Sequence, residues 1–195
     1  MLLDIDLTNI NPIIPTTILG LIGAAFFYLY GSYKTKKDNE LKEIQNIQSD
    51  KEKIKAFYFG AAHTNGDAII HFQHANIAHM GDLVFNRRYA FVDRSAGANI
   101  KSWIQVLEKT LQTFDGETIF IFGHAFDPVK VTGNKEDLKA MQNYLSKLLE
   151  FVSGEIKAGK SKEEIIKATS IPGAEEWKGD GIERGLTAAY EELTT

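Results

Sequence analysis

Two histidines and one aspartate are the residues of this chain whose types and positions suit metal binding. His63, Asp82 and His124 each follow a short apolar or aromatic run typical of a β-strand. A strand that ends at the rim of a sheet can present such side chains to a bound ion. Because the chain contains no cysteine, a transition-metal site must use imidazole and carboxylate ligands. The pattern therefore predicts a metal site, and zinc suits this ligand set.

The apolar periodicity around these residues predicts one mixed α/β unit of the α+β type. Short runs rich in aromatic and β-branched residues predict strands over residues 56–60, 68–73, 77–80 and 118–122. Three- and four-residue spacing or capping pairs predict helices over residues 100–114, 134–156, 161–166 and 182–193. In this arrangement His63 lies on a turn between the first two strands, and Asp82 and His124 follow the ends of the last two.

The order of these elements and short motifs resembles the C-terminal half of the metallo-beta-lactamase superfamily. The resemblance lies in Ala-His-Thr-Asn-Gly-Asp at residues 62–67, Gly-Asp-Leu-Val-Phe at residues 81–85, a helix with Trp103, and a strand ending in Gly123-His124. It covers about residues 56–127, and each short motif by itself is weak. By this resemblance we expect a partial αββα sandwich; the apolar residues that precede it predict, independently of the resemblance, an N-terminal hydrophobic helix.

The resemblance also implies roles for particular residues. His63 corresponds to the third histidine of the first zinc site, Asp82 to the carboxylate that bridges two zinc ions, and His124 to the histidine that closes the second site. Thr64 and Asp67 are then expected to support the ligands from outside the coordination sphere. For Asp67 the alternative is that it only holds the turn after Gly66, since Asn-Gly-Asp is ordinary turn chemistry.

The chain also departs from the family, because its sequence contains no His-x-His-x-Asp-His motif, the source of four of the usual ligands. Catalytic zinc normally needs three protein ligands in one sphere, so we expect the site to be incomplete in this chain alone. The function predicted by resemblance is a zinc-dependent hydrolase domain, with a second chain or dimer mate covering an open sheet face. The alternative is a non-catalytic, membrane-anchored remnant or interaction domain.

Other residues that could take part in chemistry are two arginines and three histidines. Arg87 and Arg88 are candidates for binding an anionic group of a substrate, although a basic pair beyond a strand is more often solvated surface. His71, His74 and His79 are expected to be surface residues, because strand alternation gives no reason for them to converge with His63.

Charge and hydropathy suggest the setting of the domain. The formal net charge of -4 gives no long-range attraction to phosphate backbones, so nucleic acid is not an expected partner. Residues 7–33 contain no charged side chain, and about 20 apolar residues suffice to span a bilayer as a helix. The lysines that follow, Lys34, Lys36 and Lys37, predict a cytoplasmic C-terminal domain. A buried core helix or a misread N-terminus is the alternative.

These patterns divide the chain into three predicted segments. Residues 1–34 form the hydrophobic segment, residues 35–55 a polar linker, and residues 56–195 the partial metallo-beta-lactamase-like domain with its C-terminal helices. We therefore predict that the protein crosses the membrane once and that its C-terminal domain acts on a small-molecule substrate.

Overall fold

The described part of the chain builds a five-stranded sheet whose strand order follows the chain. The computed structural model describes Ser32, residues 34–36 and Glu52–Thr195, and the sheet belongs to the last of these ranges. The strands are β1 (Ile54–Phe57), β2 (Ile69–Phe72), β3 (Ile77–Asn86), β4 (Ile119–Ala125) and β5 (Thr132–Gly133). All neighbouring pairs are antiparallel except β3 and β4, which are parallel. Two parallel strands need a long crossover connection, and here the connection from β3 to β4 contains a helix.

Four α-helices and one 3₁₀ turn complete the range Glu52–Thr195. They are the 3₁₀ turn Arg94–Ala96, the crossover helix α1 (Ile100–Thr113), α2 (Lys135–Lys157), α3 (Lys162–Ile165) and α4 (Ile182–Thr194). The predicted capping pairs are confirmed: Asn134 and Asp137 form a capping box at α2, and Ser161 and Glu164 form one at α3. Each box satisfies backbone amides that the first helical turn leaves without partners.

The core lies between one face of the sheet and helices α1 and α2. The two helices pack against each other, and Trp103 on α1 is fully buried, which confirms that it is a core residue. Its indole Nε1–H donates to the backbone carbonyl of Leu83 at 3.0 Å. The ring of Phe120 on β4 meets Phe114 edge-on at 5.8 Å between centroids. These contacts fix α1 over β3 and β4, the strands that carry Asp82 and His124.

The opposite face of the sheet is apolar and accessible. The register aligns side chains in a row across β1, β2, β3 and β4, namely Ile54, Phe72, Ile77 and Ile119. At the ends of this row Ile54 is 57% exposed and Ile119 is 50% exposed. Since side chains alternate between the two faces of a sheet, the neighbouring row that contains Ala78 and Phe120 points to the buried side.

Two strands extend further than the sequence predicted. The third strand was expected to end at Met80, but β3 continues to Asn86, because its register against β4 shifts around Gly81 and pairing then resumes. Gly81 adopts φ +51, a left-handed conformation that favours glycine. β4 likewise continues to Ala125. Asp82 therefore lies within β3, in the stretch between Gly81 and Phe85 where the register shifts, and His124 lies within β4 opposite Phe85.

The N-terminal predictions concern residues that lie mostly outside the described part of the chain. The expected hydrophobic helix over residues 1–34 and most of the linker over residues 35–55 fall there. β1 begins at Ile54, two residues before the expected domain boundary. Among the residues that the structure describes, no helix combines the length and apolar character needed to cross a membrane.

Candidate metal centre

The loop that carries His63 is held against the segment before α1. The backbone amide of Asn65 donates to the carbonyl of Ala96 at 3.0 Å, and that of Asn99 donates to the carbonyl of Ala62 at 3.0 Å. Asn99 is also the N-cap of α1, where its side chain accepts from the amide of Ser102. The helix start and the His63 loop are thus one hydrogen-bonded unit, which places the imidazole beside β3.

Asp67 orients His63 and holds its turn at the same time. One carboxylate oxygen lies 3.5 Å from His63 Nδ1, and the other accepts from the backbone amide of Thr64 at 2.7 Å. Burial raises the pKa of the Asp67 carboxyl, but the hydrogen bonds from His63 and Thr64 outweigh it and leave the pKa below its ordinary value. A carboxylate on Nδ1 favours the tautomer whose Nε2 lone pair is available to a metal.

Asp82 lies between the two histidines and turns one oxygen toward each. Its Oδ1 is 3.4 Å from His124 Nε2, and its Oδ2 is 3.9 Å from His63 Nε2. The three predicted ligands, which come from a loop, β3 and β4, are therefore brought together. Each oxygen of the Asp82 carboxylate thus has a different imidazole as its neighbour.

Aromatic rings surround the two imidazoles. The ring of Phe85 stacks on His124, with centroids 4.6 Å apart and an interplanar angle of 20°. His63 contacts Phe85 at 5.8 Å, Phe91 at 6.2 Å and, edge-on, Trp103 at 5.8 Å. These rings restrict the rotation of both imidazoles and give the cluster an apolar wall. This role of Phe85 and Phe91 is not predictable from local sequence, because the ring contacts depend on how β3 and the segment after it pack against the His63 loop.

The described residues fit part of a two-zinc site but do not complete it. Two ligand atoms about 2.1 Å from a tetrahedral zinc ion are about 3.4 Å apart; the His124 to Asp82 distance of 3.4 Å matches this separation, whereas the His63 to Asp82 distance of 3.9 Å is longer. However, each position has only one imidazole and one carboxylate oxygen, one ligand fewer than catalytic zinc normally uses. Within the described ranges, no group of three or more His, Cys, Asp or Glu side chains is arranged to hold an ion.

The two predicted arginines have different surroundings. Arg87 donates from Nε to Glu176 at 2.8 Å, lies 3.4 Å from Asp137, and stacks over the ring of Trp177 at 5.2 Å. These contacts engage its guanidinium in holding the C-terminal segment against β3 and α2. Arg88 is exposed and borders a cavity that also contacts His124.

The remaining histidines stay apart from the cluster. His74 and His79 are exposed. The predicted surface position is wrong for His71, whose ring meets Phe114 edge-on at 4.9 Å and whose Nε2 is buried without a hydrogen-bond partner among the described residues. The reason is the register: His71 pairs with buried Ala78 and so faces the helices.

The fold has counterparts among solved structures. The stereoselective inverting sec-alkylsulfatase from a Pseudomonas species superimposes with a TM-score of 0.55 at 14% identity, over 72% of this chain and 24% of that enzyme. A double mutant of a sec-alkylsulfatase also gives a TM-score of 0.55 at 14% identity, over 73% and 24% of the two chains. A metallo-beta-lactamase from Pontibacter korlensis matches over 49% of this chain and 42% of its own, with 18% identity and a TM-score of 0.42.

The two alkylsulfatase matches, with TM-scores of 0.55, indicate the class of the fold. The chain spans about a quarter of the length of the alkylsulfatases. No protein-family model matches the sequence, and no curated protein matches it. The described domain has a partial metallo-beta-lactamase fold, so the resemblance seen in the sequence is confirmed at the level of the fold. At such low identity the likeness concerns the fold alone.

Proposed function

We propose that this chain contributes part of the dinuclear zinc site of a metallo-beta-lactamase-like hydrolase that acts on a small molecule. In this proposal His63 and Asp82 belong to one metal position, and Asp82 and His124 to the other. The observation that carries the proposal is the placement of Asp82, whose two oxygens face the Nε2 atoms of two different histidines. Bound zinc would act as a Lewis acid and lower the pKa of a coordinated water.

The chain's own residues would prepare the ligands for the ion. Asp67 holds the Nδ1 side of His63, so that Nε2 stays directed toward Asp82. Phe85 covers one face of His124 and limits its rotation. The ligands still missing at each position would come from residues outside the described part or from a second polypeptide, since zinc with two protein ligands binds weakly.

Zinc binding by the full chain tests this proposal. Equilibrium dialysis with metal quantification should find weak zinc binding in the wild type and a loss of at least about tenfold in affinity in a His63→Ala, His124→Ala double variant. His74→Ala is the control, because His74 is exposed and lies in the turn between β2 and β3, at the start of β3 rather than beside Asp82, and this variant should bind zinc like the wild type. Unchanged zinc uptake in the double variant, with an intact circular dichroism spectrum, would refute the assignment.

A non-catalytic interaction domain is the second candidate function. The accessible apolar row on the sheet favours it, because contiguous apolar surface of this kind marks contact sites. In this case a partner chain or dimer mate would cover the sheet, and the histidines would hold no metal. If the domain is an interaction domain, the protein should self-associate and bind no zinc. If it is part of a zinc hydrolase, it should bind zinc in a way that depends on His63 and His124.

A further inference from the structure

We propose that Glu192 on α4 is a positioning residue for His63, although α4 lies far from the His63 loop in the sequence. The Glu192 carboxylate holds the first turn of α1 and the 3₁₀ turn before it, and this segment holds the His63 loop. The effect on the imidazole requires no bound ion. Only the expected effect on zinc affinity rests on the proposed function.

The Glu192 carboxylate binds the N-terminus of α1 through two hydrogen bonds. Its Oε2 accepts from the backbone amide of Ile100 at 2.7 Å, and its Oε1 accepts from that of Lys101 at 2.9 Å. The amides at a helix N-terminus have no acceptor within the helix. The first turn of α1 contains no acidic residue of its own, so Glu192 supplies the negative charge that the helix dipole favours there.

The other amides of the same helix end connect α1 to the His63 loop. The backbone amide of the N-cap residue Asn99 donates to the carbonyl of Ala62 at 3.0 Å, and the Asn99 side chain accepts from the amide of Ser102 at 2.7 Å. Each of the four amides that precede the regular helical hydrogen bonds therefore has an acceptor. One acceptor is the residue before His63, and two are the oxygens of Glu192, so the start of α1 joins α4 to the loop.

Arg94 extends the contact to the 3₁₀ turn. Its Nη1 lies 3.4 Å from Glu192 Oε2 and donates to the backbone carbonyl of Ala98 at 3.2 Å. At the end of this turn, the carbonyl of Ala96 accepts from the loop amide of Asn65 at 3.0 Å. The loop is thus attached on both sides of the imidazole to backbone that Glu192 and Arg94 hold in place.

The Glu192 carboxylate is almost completely buried, with 4% of the side chain exposed. A buried carboxylate is unfavourable unless hydrogen bonds and a cation compensate for its lost hydration, and here two backbone amides and Arg94 do so. Removal of the carboxylate would leave these donors without their acceptor. The start of α1 would then have to move to reach water, and the His63 loop would move with it.

The position of the imidazole matters because the ligands of the candidate metal centre are already widely spaced. His63 Nε2 is 3.9 Å from Asp82 Oδ2, longer than the separation of about 3.4 Å between two ligands of one zinc ion. α1 also contacts the imidazole directly, since the Trp103 indole in its first turn meets the ring edge-on at 5.8 Å. A displaced α1 would therefore change both this ring contact and the spacing of the two ligands.

Nuclear magnetic resonance of the full, metal-free chain at about pH 8, where free histidine is neutral, tests the positioning role. Glu192→Ala should shift the imidazole nitrogen resonances of His63 and weaken the nuclear Overhauser effects between His63 and Trp103. Its zinc affinity should fall by about tenfold. Glu192→Gln keeps the size of the side chain and one acceptor oxygen, so it should fold like the wild type and shift the same signals by a smaller amount.

Two control variants separate positioning from a general loss of charge or stability. Glu191→Gln removes the same charge from the neighbouring residue, whose partner is Lys162 at 2.8 Å, and should leave the His63 signals unchanged. Ile165→Ala removes a buried side chain on α3 without removing a hydrogen bond of Glu192. It should lower the free energy of unfolding but leave the His63 signals at their wild-type values.

Two results would overturn the proposal. One is wild-type His63 signals in both Glu192 variants, and the other is equal shifts in the Ile165→Ala variant, which would reduce Glu192 to a general contribution to stability. Shifted His63 signals in the Glu192 variants of a protein whose wild type binds no zinc would leave the positioning role standing and refute the hydrolase proposal, so the two failures are distinguishable.

Discussion

Gly123 on β4 lies so close to Asp82 on β3 that a side chain at position 123 would force its neighbours to move. A Cβ atom at position 123 would overlap Asp82 Oδ1 and would lie 2.7 Å from the backbone carbonyl carbon of Gly81. The close approach of the two strands is what brings the Asp82 carboxylate next to His124, the residue that follows Gly123. Glycine at this position is therefore part of the candidate metal centre, although it has no side chain.

Replacing Gly123 by alanine should disturb both the sheet and the site. Because the added methyl group meets backbone as well as the Asp82 carboxylate, we expect Gly123→Ala to lower the free energy of unfolding by about 1–3 kcal/mol. Zinc affinity should fall as well, since the carboxylate must move. Urea unfolding followed by circular dichroism measures the first effect, and dialysis measures the second.

The control for this substitution is Gly154→Ala. A Cβ at Gly154 meets nothing within 4 Å, and the residue lies in helix α2, so alanine should stabilise the protein by about 0.5–1 kcal/mol. If the two alanine variants had the same stability, the packing of Gly123 against Asp82 would not be the cause.

The Asp67→Asn variant tests whether Asp67 orients the His63 imidazole or only holds the turn through the Thr64 amide. The amide oxygen can still accept from the Thr64 amide, which holds the turn, but the charged partner of His63 Nδ1 is lost. We expect an intact fold and a decrease of about 10–100-fold in zinc affinity. Glu163→Gln on α3, an exposed residue, removes the same charge as a control. Wild-type zinc affinity in Asp67→Asn would mean that Asp67 only shapes the turn.

The accessible sheet face should cause self-association in a shortened protein. A fragment of Glu52–Thr195, one of the two compact units of the chain, is expected to form dimers or larger species through the row that ends in Ile54 and Ile119. Size-exclusion chromatography with light scattering measures this. An Ile54→Lys, Ile119→Lys double variant should be monomeric, whereas Thr169→Lys with Ser170→Lys should associate like the parent. A monodisperse, cooperatively melting parent fragment would contradict the prediction.

Membrane attachment stays a prediction of the sequence. The uncharged residues 7–33 and the lysines after them lead us to expect that the full-length protein stays with membranes after alkaline carbonate washing. Leu21→Arg with Ala25→Arg should release it, because each arginine costs about 2.5–3.5 kcal/mol at the centre of a spanning helix. Gln45→Arg with Gln48→Arg adds the same charge outside this segment and should not release it. A wild type that is already extracted by carbonate would refute the anchor.

Local patterns were enough to predict most elements of the described domain. Capping boxes at α2 and α3 and the apolar spacing of α1 depend on residues three or four apart, which a sequence displays directly. The predicted ends of the strands were less accurate than the predicted helices. β3 continues past Gly81 because β4 pairs with it beyond the register shift, and a pairing partner is not visible in a local window.

The sequence by itself determined which side chains could bind a metal and which elements carry them, because ligand chemistry and periodicity are local properties. Only the tertiary structure decided how they meet: Asp82 faces both His63 and His124, and Gly123 leaves room for it. The tertiary structure also gave Arg87 surroundings different from those of Arg88, because the partner of Arg87, Glu176, is 89 residues away along the chain. Contacts across such separations depend on how strands and helices pack, which no short stretch of residues specifies.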